Sequence, residues 1–192
     1  MKRLSVFLYK TSNWFTVLLS MAIMALYAQF IMGGQAAEYN SSFPEGMKVP
    51  DLMFGYDQAY ILNFMQIMGE VHLRKYLDVV IIWDTLFPVI YTLMNLLIFS
   101  FLFKDLTKNN FYWINLLPLL SIPLDLIENT FEVLIVNDYL DHGAINSPLV
   151  SYGSLANMIK WSYTYSLYAF LFAGVFRKVW QWFLNKRMNM EG

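Results

Sequence analysis

Four side chains in one short stretch are spaced for joint chemistry. Asp125, Glu128, Asn129 and Glu132 fall at i, i+3, i+4 and i+7, which places them on a single helical stripe. Asp84, Pro88, Tyr91 and Asn95 form a second stripe, and Asn157, Lys160, Trp161, Thr164 and Tyr168 a third. Each is set in a run of Leu, Ile, Phe and Met. A carboxylate in apolar surroundings is costly unless paired, and close carboxyls push one another toward the protonated form. That is the condition a general acid or proton carrier needs. Asp84, Asp125 and Glu128 are therefore the candidate catalytic groups. Asn129, Lys160, Trp161, Tyr91 and Asn157 are the candidate ligand-binding groups. One ammonium cannot neutralise three acids, so at least one carboxyl is expected to be protonated, or bound to water or a cation.

These stripes need long helices to carry them. Of 192 residues, 58% are hydrophobic and 14% charged, with 16 Phe, 13 Tyr, 6 Trp and 12 Met. Mean hydropathy is +0.44. Average soluble domains carry about 25% charge, so this composition excludes a disordered chain, a basic nucleic-acid binder and an ordinary soluble enzyme. A membrane-crossing helix needs about 20 mostly apolar residues. Four stretches qualify: 12–32, 77–103, 111–136 and 152–176. The expectation is an all-α integral membrane four-helix bundle, one domain over 1–192, with an outer loop at 33–76. Residues 12–32 also fit a signal peptide in their basic start and small residues Gly33, Gly34, Ala36 and Ala37. The apolar run is long for that role, which favours a retained helix.

Orientation follows from the basic residues. Lys2, Arg3, Lys10, Lys104, Lys108, Arg177, Lys178, Lys186 and Arg187 fall on one side, and only Lys48, Arg74 and Lys75 on the other. Both termini are expected to be cytoplasmic, with 33–76 and 137–151 outside. At 1.5 Å per residue, Asp84 then lies roughly 10 Å below the outer surface, Glu128 about 12 Å, Asp125 about 16 Å and Lys160 about 12 Å. Three helices thus bring ionisable groups to one layer. Intramembrane charges are functional candidates by default. The spacing predicts a Lys160 nitrogen within about 4 Å of a carboxylate from the second or third span, Glu128 being the simplest partner.

In the outer loop, Phe43-Pro44-Glu45-Gly46 and Val49-Pro50-Asp51 are turn chemistry. Asp57 caps a helix expected to run to Met68 and stop at Gly69, lying either on the membrane surface or as a lid on the bundle. From Glu70 the helix restarts. Pro88, Pro118 and Pro123 lie inside spans and can bend them. His72 with Arg74 and Lys75 is read as a solvated rim, with headgroup phosphate binding as the sharper alternative. His142 with Asp138 and Asp141 is too sparse for a metal site. Arg177, Lys178, Lys186 and Arg187 among Trp180, Trp182 and Phe183 read as an inner-surface anchor. Without Cys there is no disulfide or thiol chemistry. No nucleophile elbow, phosphate loop or zinc motif is present, so no cofactor, metal or nucleic-acid partner is expected.

Gly55-Tyr56-Asp57, Asp84 with Phe87-Pro88 and Tyr91, the run Asp125-Leu-Ile-Glu128-Asn129, and Lys160-Trp161 make residues 54–176 resemble a group of small bacterial four-span membrane proteins. The resemblance implies a bacterial inner membrane and no particular activity. The layout also resembles, in topology only, the EXPERA class of sterol isomerases and sterol-binding proteins; the His and acid pattern of that class is absent from the second span, where only Asp84 stands. The leading expectation is a site that binds or acts on a lipid-like or amphiphilic molecule. A proton- or cation-coupled carrier, oligomeric because four spans give a thin pathway, and a structural assembly subunit are the alternatives.

Overall fold

The computed structural model of the chain describes residues 1–40, 44, 47–108 and 111–188. The turn expected at Phe43-Pro44-Glu45-Gly46 therefore falls, Pro44 apart, outside the described residues. Among them the protein is all-helical. The α-helices are α1 (Lys2–Thr11), α2 (Trp14–Leu26), α3 (Gly33–Asn40), α4 (Gln58–Asp78), α5 (Thr85–Leu102), α6 (Lys104–Lys108), α7 (Ser121–His142) and α8 (Ser147–Met188). Wider π-helical turns at Tyr27–Met32 and Val79–Asp84 join α2 to α3 and α4 to α5. Short 3₁₀ segments cover Pro50–Leu52 and Ile114–Leu120.

Local chemistry sets these boundaries. Asn13 ends α1 and begins α2: its side-chain oxygen accepts from the Phe15 and Thr16 amides at 2.9 and 3.1 Å, and Thr16 Oγ1 accepts from the Asn13 amide at 3.0 Å. This is a reciprocal cap. The stretch before it was expected to be a plain tail; α1 forms there and buries Ser5 and Leu8. Asp57 caps α4 by accepting from the Tyr60 amide at 2.7 Å. Gly69 interrupts α4 with φ 62° and ψ 169°, a region reserved for glycine. The stop expected at Gly69 and the restart after it are both present as a kink. Gly143 ends α7 in the left-handed conformation, its amide reaching the Tyr139 carbonyl at 2.8 Å.

The stretch expected to be a third span is not one continuous helix over 111–136. Pro118 lacks the N–H that an α-turn needs, and the chain runs as 3₁₀ until Leu120. Pro123 then sits in the first turn of α7, where a missing N–H costs nothing, so it starts that helix and does not bend it. The expected turn at 104–110 contains α6.

The chain falls into two compact units, Met1–Ala22 with Thr92–Leu119 and Thr164–Gly192, and Ile23–Tyr91 with Leu120–Tyr163. In the first, Leu8, Leu96 and Leu116 cluster, and Phe103 touches Phe99 and Phe170 at ring distances of 5.5 and 5.7 Å. Asn115 ties Ser5 to Ser100: it accepts from Ser5 Oγ at 2.7 Å and donates to Ser100 Oγ at 2.9 Å. In the second, Ile61, Phe64, Met65 and Met68 of α4 pack with Leu73, Tyr76, Val80 and Val136. The residues expected to lie on a membrane surface are thus core residues, so the 58–68 helix is a lid packed on its own unit.

Beside this apolar core, the polarity of inside and outside is partly inverted. Glu128, Asn157, Asn95 and Asn115 are all 0% exposed, whereas Trp14, Phe30, Phe172 and Phe176 are at least 68% exposed. α2 buries no residue. Along α8 the buried positions are Val150, Gly153, Asn157, Lys160, Leu167 and Gly174, a stripe one residue wide. Two helical stretches, Trp14–Gln35 and Gln58–Leu102, are long and apolar enough to cross a membrane.

Candidate functional site

All the candidate side chains belong to the unit formed by Ile23–Tyr91 and Leu120–Tyr163. Helix α7 presents Ser121, Asp125, Glu128, Asn129 and Glu132 on its buried face. Helix α8 presents Asn157 and Lys160. The π-turn before α5 ends on Asp84, and Tyr91 follows two turns later.

The Lys160 ammonium bonds the Glu128 carboxylate at 2.5 Å, the pairing expected from depth and spacing, and also bonds the Asp51 carboxylate. Asp51 was read only as a loop acid. It is delivered by the 3₁₀ turn Pro50–Leu52, in which Pro50 fixes the first position. The loop is held from α8 by several bonds. Asn157 donates to Glu128 at 2.7 Å and accepts from the Gly55 amide at 2.7 Å. Ser154 Oγ accepts from the Tyr56 amide at 2.9 Å, and Trp161 Nε1 donates to the Asp51 carbonyl at 2.8 Å. Gly55, at φ 77°, lies so close to α8 that a Cβ there would meet Met158 Cγ at 2.9 Å. Gly153 similarly admits Tyr56, whose hydroxyl would lie 2.7 Å from a Cβ. Burial and the nearby Glu132 and Glu128 carboxyls push the Tyr56 phenol well above its usual range, so it stays protonated.

A second group sits beside this one. Tyr91 donates its hydroxyl to Asp125 in a short hydrogen bond. Asp84 is partly exposed and lies within electrostatic reach of Asp51, Lys160 and Asp125, with Asn129 alongside. The Asn129 amide is 5% exposed, and neither of its polar atoms has a hydrogen-bond partner. Tyr27 reaches across to the Trp83 carbonyl at 2.6 Å. Phe87 stands between Tyr27 and Tyr91, with ring centroids 6.4 and 5.4 Å away. Chemically, the Tyr91 hydroxyl occupies one Asp125 oxygen and leaves the rest of that carboxyl's acceptor capacity open.

A third group is enclosed. Tyr76 donates to Glu132 at 2.7 Å. Tyr56, Tyr76 and Glu132 border a cavity of about 10 Å³. That is near the smallest space that holds one water, so no organic ligand fits there.

Some expected groups are not gathered. Tyr168 is 38% exposed and turned away from the buried stripe. Arg74 pairs with Glu70 at 2.9 Å on an exposed face. His142 bonds Asp138 at 3.2 Å in the exposed last turn of α7. Among the described residues no three acids or histidines converge as metal ligands. No family model, no curated protein and no solved structure matches the chain.

Proposed function

We propose that this is an integral membrane protein of four spans with both termini cytoplasmic, and that it binds a lipid-like molecule at a polar site in the outer half of the bilayer. The supporting observation is the partly inverted polarity. In water a helix such as α2, with no residue buried and none charged, would be an aggregation surface; in hydrocarbon it is at home. The buried acids, amides and ammonium are then costly groups in a low-dielectric setting. Most of them are paired with one another. Asp84 is partly exposed, and the Asn129 amide beside it is buried without a direct hydrogen bond. A molecule arriving from the lipid meets these two first, with Tyr27, Phe87 and Tyr91 forming an aromatic wall beside them. Lys160 was expected to hold a headgroup. It serves instead as an internal clamp, because its charge is met by Asp51 and Glu128.

The test is the composition of lipid that copurifies with the protein. Relative to the host membrane, one species is expected to be enriched by mass spectrometry, with the enrichment lost in Asp125→Asn. Bulk composition in both proteins would end this reading.

A further inference from the structure

The chemistry of the open groups narrows the ligand class. This step rests on the proposed amphiphile-binding role. The single buried ammonium already faces two carboxylates, so it has no charge to spare for a ligand. Asp84 and Asp125 add acceptor oxygens; the Tyr91 hydroxyl is taken by Asp125, and the Asn129 amide brings one N–H donor group and one carbonyl acceptor. Every free charge near Asn129 is therefore acidic. An anionic headgroup would be repelled here, and a neutral one would leave acid uncompensated. Three rings, Tyr27, Phe87 and Tyr91, line up beside the acids, all partly or fully buried. Aromatic faces next to carboxylates are what an organic cation selects. A bare metal ion is a poorer fit, since no three acids converge. The unpartnered Asn129 amide, 95% buried by its 5% exposure, supplies a carbonyl acceptor in the same place.

We infer that the site takes the protonated amine of an amphiphile, its ammonium held between Asp84 and Asp125 with Asn129 as a third acceptor and the Tyr27–Phe87–Tyr91 rings against the adjoining carbons. The partly exposed Asp84 is the first contact and sets the charge preference.

The experiment compares dodecylamine, dodecanol, dodecanoate and propylamine, each below its critical micelle concentration, on the full-length protein in nanodiscs of neutral lipid. Native mass spectrometry reads the bound fraction. Dodecylamine is expected to bind about tenfold or more tightly than dodecanol, as a charge-assisted hydrogen bond allows, with dodecanoate weakest. Asp84→Asn should erase the preference and Asp84→Glu should retain it, while Glu70→Gln on the exposed face leaves it unchanged. Propylamine binding as tightly as dodecylamine would also support ammonium recognition and would identify a soluble amine as its source. Dodecanol or dodecanoate binding as well as dodecylamine would overturn the amine inference and leave amphiphile binding standing. No binding by any probe would overturn both.

Discussion

Lys160 holds two carboxylates at once, so its loss leaves a like-charge pair facing each other in a buried place. Lys160→Met is expected to cost about 3–5 kcal/mol, the usual penalty for an uncompensated buried charge. Adding Glu128→Gln should recover much of that. Asn157 can still donate to the new amide, and the Asp51 side chain, 24% exposed, can find water. Urea unfolding of the wild type, Lys160→Met, Glu128→Gln and the double variant in one detergent checks this; a double variant as unstable as the sum of its parts would refute the clamp. The Lys160–Glu128 half of the clamp was legible, because both residues sit on regular helices whose rise and direction fix their depth. Asp51 was not. It lies 109 residues from Lys160 on a turn without periodicity, and nothing in local spacing says which helix that turn will touch.

Helix α4 shows the same contrast between local and distant information. Its cap at Asp57 and its break at Gly69 are local signals, and both were readable. Which face it buries depends on α7, and the surface-lying alternative stayed open until Ile61, Phe64 and Met65 were placed in the core. Helix α1 was missed because its mean polarity is that of a tail; its role comes from Ser5 reaching Asn115, 110 residues away. A Cβ at Gly69 would meet nothing within 4 Å. Gly69→Ala therefore probes backbone strain alone, with an expected destabilisation of about 1–3 kcal/mol. Thermal melts in detergent read this, and an unchanged midpoint would mean the kink straightens without cost.

At the scale of the molecule, the lack of cysteine makes the proposed topology directly testable. Asp141→Cys should react with a membrane-impermeant maleimide in intact cells, whereas Lys2→Cys and Lys186→Cys should react only after permeabilisation. The reverse pattern would invert the topology, and with it the placement of the site in the outer leaflet. Helical class was plain from composition. The four spans expected from the sequence are a different matter: α7 and α8 carry the acids, amides and ammonium that build the site, and each such residue lowers the apolarity by which a membrane-crossing stretch is recognised. Trp14–Gln35, which contributes little polar chemistry, is one of the two stretches apolar enough to cross a membrane.

The bonds from α8 to the Pro50–Tyr56 loop span 98 to 110 residues of sequence, which has a consequence for biogenesis. During synthesis Asp51 and Glu128 are made well before Lys160. A nascent chain halted after α7 would hold two acids with no counter-ion and a loop with nothing to grip. Maturation is thus completed by the last helix, and a chain truncated before Lys160 is a natural substrate for membrane quality control.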